Sequence, residues 1–515
     1  MDVSLRKVAG QMALVCLSLG TLIAADKPEI DQGKVIAQAQ PAPNQAPPPT
    51  KEFLQSIVRD ANTAAKAPPA EVEQRVAAAG EVWDAAVAKG FDPKMAGNMA
   101  LGTSAVANFS HVAPNVSAAK DVINNVDLGQ ASISPEMQGS IYTELTAARA
   151  SGIAPDKIQE IATGLVSLAP RLEAVNNLDP TMANTLLNTA SATLQQGAGM
   201  AEVEQRSKQI IDVGAQLTQN GYTEEARSMG MAIAMEGVLS NATPDQVQQI
   251  GIKVANLSQS GVPETEINAM SGSIKAAVIS GAPDQKVNEV VDNMRPVVQE
   301  GLQQFGSSVV ATNGGDTTGT ATVQGFNAPQ AIGMGQTVNQ MTSQVESRSG
   351  PLAASFAGPT MTTGLINQQS PEQIDRAVQL VENQTVQLQE QGNGLAAIQV
   401  GAEITGQTML TTGDENLATQ AGDVGALAVT NTLEQNGGLL AGQVAGTTAG
   451  ETFVQTAGVP TEQTPPQEGE EQPSQEGDQQ APPVVDPNAP QEPGLQQGPP
   501  PGAVDQPVPP PDLQQ

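Results

Sequence analysis

An all-α fold is what the sequence predicts: a solenoid-like array of antiparallel helical hairpins, about 21 residues per helix unit, between disordered Pro/Gln-rich ends. Three observations point there. Helix-start signals recur at gaps of 19 to 25 residues between 69 and 283. The segments between them carry apolar residues at helical spacing, as in Ile158, Ile161, Leu165 and Leu168, or Val247, Ile250, Val254 and Leu257. Period-2 alternation is missing, while Ala, Gln and Glu, all common in helices, are plentiful.

Taken in chain order, residues 1–25 read as an export signal. Arg6 and Lys7 precede a mostly apolar run from Val8 to Ile23, and Ile23-Ala24-Ala25 supplies a small-residue cleavage site. Gly10, Gln11, Ser18, Gly20 and Thr21 dilute that run below the roughly 20 apolar residues a spanning helix needs. Cleavage removes Cys16, the one Cys, so the mature chain is expected to be Cys-free, exported, and periplasmic or extracellular. Its Ala/Gln-rich composition fits a bacterial exported protein. Residues 26–50 read as a Pro/Gln-rich linker ending in Pro47-Pro48-Pro49.

Residues 51–300 form the predicted helical-repeat domain. Starts fall at Pro69, Pro93, Pro114, Pro135, Pro155, Pro180, Ala201, Thr223, Pro244, Pro263 and Pro283. Proline suits the first helical position, where its missing N–H has no helical partner. An acid in the first turn, such as Asp156, Asp245, Glu264 or Asp284, meets the positive end of the helix dipole. Gly90, Gly152, Gly221, Gly261 and Gly281 stand where a left-handed residue ends the preceding helix. Links this short force neighbouring helices antiparallel. Two units then make a hairpin of about 42 residues, within the range of HEAT and armadillo-type repeats. Thr243-Pro244-Asp245-Gln246-Val247 resembles the opening of a TAL-effector repeat; the likeness covers that one stretch and is the signature of a well-capped helix, with no DNA function carried over.

Residues 301–369 read as a Gly/Thr-rich linker, with Gly314-Gly315-Asp316-Thr317-Thr318-Gly319-Thr320 as a flexible loop and one or two short helices around it. Residues 370–460 read as a second helical section, opened by Ser370-Pro371-Glu372 and followed by Ile374, Val378, Val381 and Val386. Within it Gly438, Gly442, Gly446 and Gly450 recur every four residues, which on a helix makes a smooth face and a candidate self-association surface. Residues 461–515 have too little apolar surface to offset the entropy of ordering and read as a disordered acidic tail.

Charge and composition restrict function further. The net charge is −31, and residues 377–515 hold 18 acids with no Lys, Arg or His. Such a polyanion opposes nucleic acid and anionic membranes. One Cys and one His leave no Cys-based zinc site and no two-His metal motif, and neither cofactor nor metal is expected. His111 stands beside a helix start, where a capping or surface role is ordinary. Ser117-Ala118-Ala119-Lys120 matches the Ser-x-x-Lys pattern of serine-type penicillin-binding enzymes, but no Lys-Thr-Gly accompanies it. Asp414-Glu415-Asn416 lacks the alternating ligands of a calcium loop, and Glu224-Glu225 opens a helix. Trp83 falls in the apolar series Val76, Val82, Val87, as core. Sequons stand at Asn108, Asn115, Asn241, Asn256 and Asn383.

The expectation is an exported, non-catalytic helical-repeat protein acting as a protein-binding scaffold or envelope component. It would have protein partners, no nucleic acid, no stable membrane insertion after signal cleavage, and a capacity to self-associate. The alternatives are a secreted hydrolase built from scattered carboxylates and a self-associating surface adhesin.

Overall fold

The computed structural model describes residues 50–457, except 65–68, 107–111, 129–132 and 177–178. The signal at 1–25, the tail at 461–515, His111 and Asn108 lie outside the described residues, as does all but the end of the 26–50 linker. Eighteen α-helices and one π-turn account for the described chain, and no strand occurs among the described residues.

The helices are α1 (Lys51–Ala64), α2 (Pro69–Ala88), α3 (Pro93–Val106), α4 (Val112–Asn125), α5 (Pro135–Ala150), α6 (Pro155–Asn176), α7 (Pro180–Gln195), α8 (Met200–Gln219), α9 (Glu224–Leu239), α10 (Pro244–Gln259), α11 (Glu264–Ile279) and α12 (Asp284–Glu300). A π-turn (Gly301–Phe305) extends α12. There follow α13 (Ser308–Val323), α14 (Ala328–Ile366), α15 (Pro371–Glu390), α16 (Leu395–Thr412), α17 (Glu415–Glu434) and α18 (Leu439–Ala457). Consecutive helices pack as hairpins, so the all-α, solenoid-like array expected from the caps is present.

The punctuation works as the residue types require. Thr243 caps α10 through a reciprocal box: its hydroxyl accepts from Gln246 N, while Gln246 Oε1 accepts from Thr243 N. Ser370 and Gln373 repeat the device at α15, and Asn327 and Gln330 at α14. At the other ends, Gly90, Gly152, Gly221, Gly261 and Gly281 all take positive φ between 76° and 99°, and Asn241 (φ 58°), Gln368 (φ 56°) and Asn436 (φ 60°) take the left-handed position after α9, α14 and α17 without a glycine.

The stretch 301–369 is not a linker. Gly314–Thr320 lies inside α13, one of the most buried helices of the array. Glycine disfavours a helix interior by about 1 kcal/mol, but here its missing Cβ lets neighbours come close. A Cβ at Gly315 would lie 2.8 Å from Val298 Cγ2, and one at Gly319 would lie 2.5 Å from Ser273 Cβ. The threonines bond back along the helix, Thr317 to Asn313 O, Thr318 to Gly314 O and Thr322 to Thr318 O, so their hydroxyls are satisfied without solvent. Packing therefore overrides propensity. The helix α14 is broken at Gly350 (φ 84°, ψ 171°), with Pro351 starting a second limb. The limbs fold back on each other, bringing the Thr342 hydroxyl 3.6 Å from Met361 Sδ. Counting these limbs separately, the array holds nineteen rods.

Two layers alternate along it. The helices α6, α8, α10, α12 and α15 bury one apolar stripe and expose a polar face; α12 buries Val287, Val290, Met294, Val297 and Val298. The intervening rods α9, α11, α13 and α16 are buried on most sides. Each touches not only its sequence neighbours but also the rod two places along.

Candidate functional site

The contact between alternate rods is a polar seam. Thr317 and Thr362 hydroxyls meet at 2.7 Å between α13 and the second limb of α14. Gln407 of α16 donates to Thr363 Oγ1 at 3.1 Å, and Asn313 donates to Ala354 O at 2.9 Å. A layer with small polar residues in this seam keeps the rods close and orients them, because each buried donor needs its acceptor in place.

The charged part of the seam is a cluster on three successive inner rods. Glu236 of α9 and Lys275 of α11 are 3% and 1% exposed, with Lys275 Nζ 3.5 Å from Glu236 Oε2. Ser273, one turn-face away on α11, donates its hydroxyl to Asp316 Oδ1 of α13 at 2.8 Å. Two carboxylates thus face one ammonium. Burial raises the Glu236 carboxyl above its ordinary range against the pull of Lys275, and burial likewise lowers Lys275 against the pull of both acids. Asp316 is pushed up to about 6, chiefly by burial, with the Ser273 hydrogen bond and Lys275 opposing the shift. Of the three residues, Asp316 alone keeps partial exposure.

Positions singled out in the sequence have plainer placements. Lys120 Nζ pairs with Glu81 Oε2 of α2 at 2.7 Å, and Ser117 is exposed. Asp414 caps α17 by accepting from Leu417 N, while Glu224 and Glu225 lie in the first turn of α9. Trp83 is half-buried against the core. Asn241 Oδ1 accepts from Arg206, and Asn256 Oδ1 accepts from the Tyr222 hydroxyl. Of the glycine ladder, Gly442, Gly446 and Gly450 are buried within the chain against α16 and α17; a Cβ at Gly446 would lie 2.5 Å from Val429 Cγ2 and 2.8 Å from Gly425 O. Gly438 lies against the Gln196-Gly197 backbone of the α7–α8 link.

Sequence reading passed over Glu236, Lys275 and Asp316. The available signal was opposite charges two helix units apart, 236 to 275 and 275 to 316, each at a position where the helical period calls for a buried residue.

Among the described residues no group of three or more His, Cys, Asp or Glu is arranged to hold a metal ion, and no helix is long and apolar enough to cross a membrane. The fold defines a class, the α-helical repeat arrays. No family model, curated protein or solved structure matches the chain.

Proposed function

We propose that this chain is an exported, non-catalytic helical-repeat protein that serves as a protein-binding scaffold or structural component of a cell envelope. The observation that carries this reading is the array itself: regular hairpins whose outer helices each bury one apolar stripe and expose a polar face. Arrays of this kind offer extended surfaces suited to protein contact. The charged cluster fits a structural role in that reading, since Glu236 and Lys275 are enclosed and paired with each other across adjoining rods. The N-terminal Arg6-Lys7, apolar run and Ala24-Ala25 support export.

The test has two arms. Fractionation of cells producing the full chain is expected to place it outside the cytoplasm with its first residues removed. Immobilised full chain is expected to retain a protein that, once purified, binds it stoichiometrically by calorimetry. Recovery of an intact N-terminus in the cytoplasm would remove the export reading. A hydrolytic activity that survives purification and is abolished by Asp316→Asn would replace the scaffold reading with an enzymatic one.

A further inference from the structure

The two-layer alternation runs to the last rod. Counting the limbs of α14 apart, α18 falls in the inner layer with α9, α11, α13 and α16. Its composition agrees: Glu451 is its one charged residue in 19, as Glu403 is the one in the 18 residues of α16. The two helices share a register 44 residues apart, since α16 starts at Leu395 and α18 at Leu439. Gly394-Leu395-Ala396-Ala397-Ile398-Gln399-Val400 and Gly438-Leu439-Leu440-Ala441-Gly442-Gln443-Val444 agree at five of seven positions.

In α16 the positions Ala396, Val400, Ile404 and Thr408 are all buried. Val400 and Ile404 meet the rods that follow. Val400 Cγ1 lies 2.9 Å from where a Cβ on Gly446 would stand, and Ile404 Cδ1 lies 2.7 Å from the same point on Gly450, both on α18. Their counterparts on α18 are Leu440, Val444, Thr448 and Thr452, and all four are exposed, Leu440 by 45% and Val444 by 58%. The helix α18 is therefore an inner rod with no following rod among the described residues. At the other end α1 carries four charged residues in 14, as a polar-faced capping unit does.

The open stripe suits a second copy of this chain. The glycine face of α18 is taken up inside the chain, so association through this helix has only the opposite face to use. Residues 377–457 hold no Lys, Arg or His to offset a facing acid, but the stripe itself is uncharged, so a copy brings no like charge onto it. The stripe is also self-complementary. Two α18 helices laid antiparallel, the direction in which consecutive rods already pack, set Leu440 across from Thr452 of the second copy and Val444 across from Thr448, a larger side chain on a smaller one at each level. The Thr452 hydroxyl donates to Thr448 O within its own helix, so covering it leaves that donor paired.

We propose that two copies of this chain join end to end through the Leu440–Val444–Thr448–Thr452 stripe, α18 on α18 about a two-fold axis, continuing the rod packing of the array from one copy into the next. The contact is one helix face about 28 Å long at 1.5 Å per residue, small for a specific interface, so the single chain predominates when dilute. The pairing is independent of the scaffold and export readings: a cytoplasmic chain would leave it standing, and a chain that stays single would leave them standing.

Sedimentation velocity over a concentration series, on the chain as cells produce it, tests the pairing. The parent is expected to pass from one-copy to two-copy mass and no further. Leu440→Glu with Val444→Glu is expected to raise the concentration of half-association by about tenfold or more, because each glutamate would bury an unpaired charge. Leu427→Glu, at an equally exposed apolar residue of α17 whose counterpart Asn383 is exposed on α15, is expected to pair like the parent. A second measurement needs no disruptive variant: with Cys16→Ser in both, chains bearing Val444→Cys mixed with chains bearing Thr448→Cys are expected to form the mixed disulfide faster than either forms its own. A parent of one-copy mass throughout overturns the proposal and leaves the stripe to a different protein. Pairing that persists in the double glutamate variant, mass that grows beyond two copies, or no preference for the mixed disulfide overturns it as well.

Discussion

Ser273 Oγ donates to Asp316 Oδ1 at 2.8 Å across the seam between α11 and α13, two residues along α11 from the buried Lys275. This bond ties the partly open acid to a cluster whose other acid, Glu236, is enclosed with the ammonium. The protonation state of Asp316 therefore decides whether the seam carries an excess negative charge.

That arrangement fixes a pH dependence. Asp316 has its folded pKa raised to about 6, above the unfolded value of about 3.9. The folded state binds the proton more tightly, so this contribution to stability is fully present below the unfolded value and is lost as pH rises through about 6. Urea midpoints are expected to fall between pH 5 and 7 in the parent relative to Asp316→Asn, which stays neutral. Identical pH slopes in the two proteins would contradict it.

Breaking the enclosed pair is expected to be severe. Lys275→Met leaves Glu236 in a dry site without its cation, and loss of one partner from a buried pair costs about 3–5 kcal/mol. The double change Glu236→Leu with Lys275→Met removes both charges and is expected to recover most of that loss, read as urea midpoints. The coupling between the two substitutions, rather than either single value, carries the claim.

Glycines that look alike in the sequence are expected to respond with opposite signs. Gly333 of α14 has open space where a Cβ would go, so Gly333→Ala is expected to stabilise by about 1 kcal/mol through helix propensity. At Gly319 the new Cβ would lie 2.5 Å from Ser273 Cβ and 2.9 Å from Met294 Sδ. Gly319→Ala is expected to destabilise by roughly 1–3 kcal/mol, the usual cost of overpacking. Thermal midpoints of the two variants check both signs at once.

This contrast also marks what the sequence made legible. Caps are local: Thr243-Pro244-Asp245-Gln246 states its helix start within four residues, and Gly261 states the stop with φ 82°. The rods and their length were therefore readable. The helix α13 was not, because Gly314, Gly315 and Gly319 look like a loop until Asn339, Val298 and Ser273 are seen filling the space beside them. The same reason hid the cluster. Glu236 is separated from Lys275 by 39 residues and Lys275 from Asp316 by 41, and only stacked hairpins bring such positions together. The glycine ladder was legible as a smooth helical face, but which surface meets Gly446 depends on where α17 turns, which no four-residue spacing encodes.

The ladder yields the last prediction. The helix α18 buries Gly442, Gly446 and Gly450, packs the partly buried Leu439, Phe453 and Val454 against the core and exposes Leu440 and Val444, so the glycine face sets how closely it can sit on the array. Gly446→Val would press against Val429 Cγ2, Gly425 O and Val400 Cγ1, all three on the backbone or core of α16 and α17, which leaves little room to yield. An overpacking cost of about 2 kcal/mol, acting on one terminal helix, raises its open population roughly 30-fold by the tenfold-per-1.4 kcal/mol rule. Limited proteolysis at the 435–438 link is expected to accelerate by that order in Gly446→Val, leaving the rest of the array intact. Leu440→Ser, on the outer face of the same helix, is expected to cleave at the parent rate. Equal rates for Gly446→Val and the parent would mean that α18 is held by something other than its glycines.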